Sequence, residues 1–143
     1  MEHLAIMRAS WGLTGKIRAG TKTLESRWYS TKYPPFDKIK AGDVVYFKDS
    51  GKPVTTKADV ARVKQFSDLT PGTVKSLLEK YGELGGIETH ERETYFHRFK
   101  DKKYCVLIFL TNVAAVEPFA VDKQGHGPLS SWICVETIDA LKK

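Results

Sequence analysis

Four residues in the stretch "RAGTKTLESRW" (18–28) are of types that recognise anions and base edges: Gly20, Lys22, Glu25 and Arg27. Lysine and arginine donate to phosphate or base acceptors, and a glutamate accepts from a base amino group or orients both cations. Lys22 and Glu25 are also the candidates for an acid–base pair. Gly20 and Thr21 favour neither helix nor strand, so a turn is expected there. On a regular strand Glu25 and Arg27 share a face with Thr23, and Lys22 points the other way. A local bend at the turn can swing Lys22 round, which leaves its placement open. The bland alternative is an exposed Glu–Arg pair worth under about 1 kcal/mol. Trp28 and Tyr29 follow directly, and rings beside cations are a standard surface for stacking bases. Core packing is the commoner role for at least two of Trp11, Trp28, Tyr29 and Trp132.

Other candidate chemistry is thinner. His90, Glu93 and His97 share a helix face if 89–99 is helical, but seven-residue spacing is inefficient for a metal and no third strong ligand is near. No metal site is assigned and no cofactor is expected. His126, Ser130 and Ser131 in "GHGPLSSW" read as a loop. The chain has no G-x-S-x-G elbow, P-loop, dinucleotide fingerprint or zinc ribbon. Cys105 and Cys134 lie in apolar segments, where buried free thiols are the ordinary case and a disulfide is possible but not required. A reducing cytoplasm is the default location. No apolar run reaches the roughly 20 residues of a membrane span.

The 143 residues fit one domain, 1–143. Net charge is +6, unevenly placed: residues 1–65 hold 13 Lys or Arg against 6 Asp or Glu, while 66–143 hold 10 against 11. An anionic partner, most simply nucleic acid, and a solubilising surface both fit that excess.

The elements that must position these side chains follow from patterning. Strands are expected at 3–7, 21–29, 43–54, 55–66 and 132–138. The segment 102–119 is apolar enough for a central strand, or two broken near Asn112. A first helix is expected over 10–20, capped by Ser10 and stopped by Gly20. A second spans 71–81: Thr70 caps it, Pro71 suits its first turn, and Val74, Leu77, Leu78 and Tyr81 fall at i, i+3, i+4, i+7. A third is expected over 89–99 with Thr89 as cap. Segments 30–43 and 122–131 read as loops. The sum is an α+β fold: a small β-barrel with two or three flanking helices.

Gly20, Lys22, Glu25 and Arg27 match G-x-K-x-x-E-x-R, and the chain here resembles the ASCH (activating signal cointegrator homology) family. The "AGDVVYF" strand and the late apolar strand stand in the expected order, so the resemblance covers nearly the whole chain. It implies a PUA-like barrel with the motif lining a cleft beside the first helix, and RNA binding or RNA-linked regulation. Some small relatives resemble amidohydrolases of N-acetylated cytidine, and others are linked to RNA cleavage. In the amidohydrolases a Thr nucleophile stands in the place of Glu25, and the helical stretch 71–99 is longer here. The expectation is therefore an RNA or nucleotide-like ligand held by Gly20, Lys22, Glu25, Arg27, Trp28 and Tyr29. The alternative is a hydrolase of a modified nucleoside or of RNA. A protein-interaction module is a third class.

Overall fold

Strand β1, Glu2–Met7, buries His3, Leu4, Ala5 and Met7, because both of its faces are covered. The computed structural model describes residues 1–123, 125–127 and 130–143. The expected loop at 122–131 therefore falls partly outside the described residues, at 124, 128 and 129.

The expected helix over 10–20 is interrupted. A 3-10 turn, Ala9–Trp11, ends at Gly12 (φ 65°), and helix α1 then runs Leu13–Ala19. No side chain caps either piece, so Ser10 is not the cap. Gly20 does end α1, at φ 82°, a left-handed value that glycine adopts without steric cost. Strand β2 starts at Leu24 rather than 21 and runs to Tyr29. Strands β3 (Val44–Asp49) and β4 (Val54–Phe66) form a hairpin around the "SGKP" turn. In β4 the pairing jumps between Val60 and Arg62, so Ala61 is extra and the side-chain parity shifts; Val60 and Val63 therefore both meet the same core.

Helix α2, Pro71–Tyr81, forms as its spacing dictates. The Thr70 hydroxyl accepts from the Thr73 amide at 3.2 Å, and Val74, Leu77, Leu78 and Tyr81 are buried. Thr70→Ala is expected to cost about 1 kcal/mol in urea denaturation, the scale of a lost N-cap. The third helix divides into a 3-10 turn at Thr89–Glu91 and α3, Arg92–Phe99. Glu88, not Thr89, precedes the turn, in a reciprocal cap with Glu91. Strand β5, Tyr104–Phe119, stays one strand through Asn112, which takes φ 51°. The last strand, β6, is only Trp132–Val135, followed by a 3-10 turn at Ile138–Leu141.

The six strands form one sheet in the order β2-β5-β4-β3-β1-β6, with β1 and β3 parallel and the other neighbours antiparallel. The sheet curls into a half-barrel flanked by three helices. Val106 and Ile108 of β5 face the core inside the curl, with Val45, Phe47 and Trp132. Cys105 and Leu107 face outward under α2, with Leu24, Val74 and Leu78. Burial on both faces explains why "YCVLIFL" is continuously apolar. Cys105 and Cys134 are free. No helix among the described residues is long and apolar enough to cross a membrane.

Candidate functional site

A half-barrel leaves a seam between its edge strands, and here the charged motif bridges it. Arg27, on edge strand β2, donates through its guanidinium to the Ser131 carbonyl beside β6 and to the Ile6 carbonyl of β1, both at 3.3 Å. Its plane also lies 5.0 Å from the Trp132 ring centroid. Glu25, two residues earlier on the same face, accepts from Arg27 at 3.1 Å. Lys22 precedes the strand, so strand parity does not bind it; the bend after Gly20 brings its Nζ to 3.2 Å from Glu25. The same ammonium donates to the carbonyls of Leu24 and Gly85, each at 2.7 Å. Lys22 is 1% exposed and Glu25 3%.

These three charges thus satisfy one another. All three ammonium hydrogens of Lys22 have acceptors, and both Glu25 oxygens have donors: Oε1 accepts from Lys22 and from the Ser26 amide at 3.1 Å, and Oε2 from Arg27. Burial lowers the Lys22 pKa from its ordinary value, opposed by Glu25. Burial pushes the Glu25 carboxyl up, but Lys22 and Arg27 together push it further down, below the usual carboxylate range. A general base needs a free lone pair, and an ammonium with three acceptors offers none.

Above this floor lies a cleft of about 520 Å³. Lys22, Glu25, Arg27, Trp28 and Tyr29 all line it; Gly20 does not, and acts by turning the chain. Trp28 is stacked on Phe99 of α3, with centroids 4.9 Å apart and planes 8° apart, so one face of its indole is already covered. Its Nε1 donates to the Ser26 hydroxyl at 3.0 Å. The Tyr29 hydroxyl donates to the Pro34 carbonyl at 3.0 Å, and burial pushes its pKa up to about 12.

Among the further lining residues outside the motif are Arg8, Trp11, Tyr95, Arg98, Phe99 and Lys102. Trp11 sits at the mouth, with the guanidinium carbons of Arg8 and Arg98 at 5.0 and 4.9 Å from its ring centroid and Tyr95 edge-on at 5.4 Å. Tyr95, Arg98, Phe99 and Lys102 follow an i, i+3, i+4, i+7 pattern. That is the signal for a mixed aromatic and basic helix face, and it was present in "YFHRFKDK".

Of the remaining polar candidates Ser131 lines the cleft, and its carbonyl accepts from Arg27; the others do not. Glu88, His90 and Glu91 bring ligand-type atoms within 4.8 Å of one another, but Glu91 is engaged in the cap. His97 pairs with Glu93 at 3.7 Å instead of joining His90. The Ser130 hydroxyl donates to the backbone carbonyl of His126, not to its ring.

No family model matches the chain, and no curated protein matches it. Solved structures do. The ASCH protein of Zymomonas mobilis superposes with a TM-score of 0.68 at 16% identity, over 99% of this chain and 96% of that one. The N-terminal domain of Staphylothermus marinus McrB matches over 97% and 90% at 14% identity, with a TM-score of 0.53. A protein described only as hypothetical matches over 81% and 100% at 24% identity, with a TM-score of 0.52. The chain has an ASCH-like fold.

Proposed function

We propose that the chain binds RNA or a nucleotide-like ligand in the seam cleft, with the Lys22–Glu25–Arg27 network as its floor and α3 as its wall. One observation carries this: a cleft lined by aromatic rings and by cations whose only carboxylate among the described residues, Glu25, is already neutralised. Rings stack bases and unpaired cations attract phosphates, and the two lie together here. The ASCH-like fold is consistent with this role. Within it, Arg27 has two functions: it ties the seam, and it carries positive potential to the cleft floor. Trp28 and Tyr29 contribute ring edges and faces to the lining.

The test is fluorescence anisotropy with a short single-stranded RNA oligonucleotide across a salt series. If Arg8, Arg98 and Lys102 each meet a phosphate, the plot of log affinity against log salt has a slope of about −2. Binding that is absent at low salt, or independent of salt, removes the nucleic-acid reading.

A further inference from the structure

Arg8, Arg98 and Lys102 all line the cleft, the two arginines as exposed side chains, and none forms an ion pair among the described residues. Like charges gathered without counter-ions repel one another, a cost that an arriving anion removes. Two of them are also held in place. Arg8 and Arg98 both lean on the Trp11 ring, so their guanidinium carbons lie no more than about 10 Å apart. Both guanidiniums are thereby presented to a phosphate that arrives beside the Trp11 ring. Guanidiniums suit that task because their paired N–H groups match phosphate oxygens. Lys102 adds a compact third charge, two residues beyond the residue that follows α3. Lys22 and Arg27 differ: Lys22 spends its three donors on two carbonyls and Glu25, and Arg27 is bonded to two carbonyls and to Glu25.

We propose that this cluster is a phosphate subsite, built by Arg8, Arg98 and Lys102 around Trp11, and that the cleft takes a phosphorylated nucleotide in single-stranded form in preference to a bare nucleoside. The proposal rests on the nucleotide reading of the cleft and adds which part of the nucleotide is recognised, and by which side chains. A cleft of about 520 Å³ holds a base and sugar with one phosphate, not the width of a duplex. The motif network then positions the floor, and the ligand's charge is met at the rim. A hydrolase of free modified nucleosides has no use for such a rim.

The experiment is a titration of the full chain with the four ribonucleosides, their 5′- and 3′-monophosphates, a short single-stranded RNA and inorganic phosphate, followed by tryptophan fluorescence. In the unaltered protein at least one monophosphate binds about tenfold or more tighter than its nucleoside, as expected for gained charge-assisted hydrogen bonds. Arg8→Gln and Arg98→Gln each remove most of that ratio and leave nucleoside affinity within about threefold. Both residues are exposed and make no ion pair, so thermal melts of the variants stay unchanged; Lys102→Gln provides a third, independent variant. Equal affinity for nucleoside and monophosphate, or a ratio that survives Arg8→Gln/Arg98→Gln together, overturns the phosphate subsite while leaving the cleft reading intact. Inorganic phosphate binding as tightly as the monophosphates overturns the nucleotide as the ligand of the cleft, because the base then contributes nothing. If neither RNA, nucleosides nor monophosphates bind, the cleft reading falls and the subsite with it.

Discussion

Glu25→Ala lowers the free energy of unfolding by about 3–5 kcal/mol, the scale of breaking a buried ion pair from one side. The carboxylate is buried between Lys22 and Arg27, and removing it leaves two neighbouring cations without the counter-charge they share. Lys22 keeps its two carbonyl partners but loses its counter-charge. Replacing Lys22 and Glu25 together, by Met and Leu, costs less than Glu25→Ala alone, because no uncompensated charge between them remains. Urea denaturation of the three proteins measures this. A pH series checks the same network. The folded Glu25 carboxyl lies below the usual carboxylate range, so the unfolded chain binds the proton more readily. The contribution is therefore fully present above the unfolded value, about 4.3, and disappears as pH falls through the folded value. Glu25→Ala flattens that part of the acid limb.

Phe99→Ala destabilises by about 2–3 kcal/mol, less than for a fully buried phenylalanine because Phe99 is half-buried. Its ring lies flat on Trp28 and tilts against Tyr95, which pins the end of α3 to β2. The same helix presents Arg98, and Lys102 follows it, so loosening its end also disorders the rim of the cleft. RNA affinity falls about tenfold or more, through the added cost of ordering the rim on binding. Hydrogen exchange of the 92–99 amides, measured beside the titration, reports the loosening. Phe96→Ala is the control. Phe96 packs into the same apolar cluster but lines a different cavity, with Lys75 and His97. It loses stability and retains ligand affinity.

The parts legible in the sequence are those where local pattern and tertiary context agree. Thr70, Pro71 and the Val74–Tyr81 stripe mark α2 to the residue, because its cap, first turn and buried face are all local. The ASCH-like arrangement was readable from "GTKTLESR" and the strands after it. The placement of Lys22 was open, since strand parity and the bend at Gly20 pointed opposite ways; packing decided it. The glycines of "GELGG" were unremarkable as a loop, yet the Gly85 carbonyl receives Lys22, and a side chain on Gly86 would crowd Lys22 at 3.3 Å. Gly12 was read as helical although its left-handed backbone splits the first helix. Arg8, Arg98 and Lys102 are not legible as site residues, and Trp11 is legible only as a ring that stacks or packs, because the cleft joins segments about 90 residues apart and the fold alone brings them together. Pattern within a segment does not encode that meeting.

The most direct measurement of the central claim uses the three tryptophans as fixed reporters. Trp11 stands at the mouth of the cleft and Trp28 on its wall, while Trp132 lies outside it, with its indole N–H donating to His3 at 3.0 Å. A ¹H–¹⁵N NMR titration with single-stranded RNA follows their indole resonances. The account predicts the largest shift at Trp11, a smaller one at Trp28 and the least at Trp132, together with shifts along 95–102. Shifts confined to the basic patch outside the cleft, where the Arg62 guanidinium lies 4.1 Å over Phe109 and Lys64 meets Tyr81, with Trp11 unmoved, would contradict it.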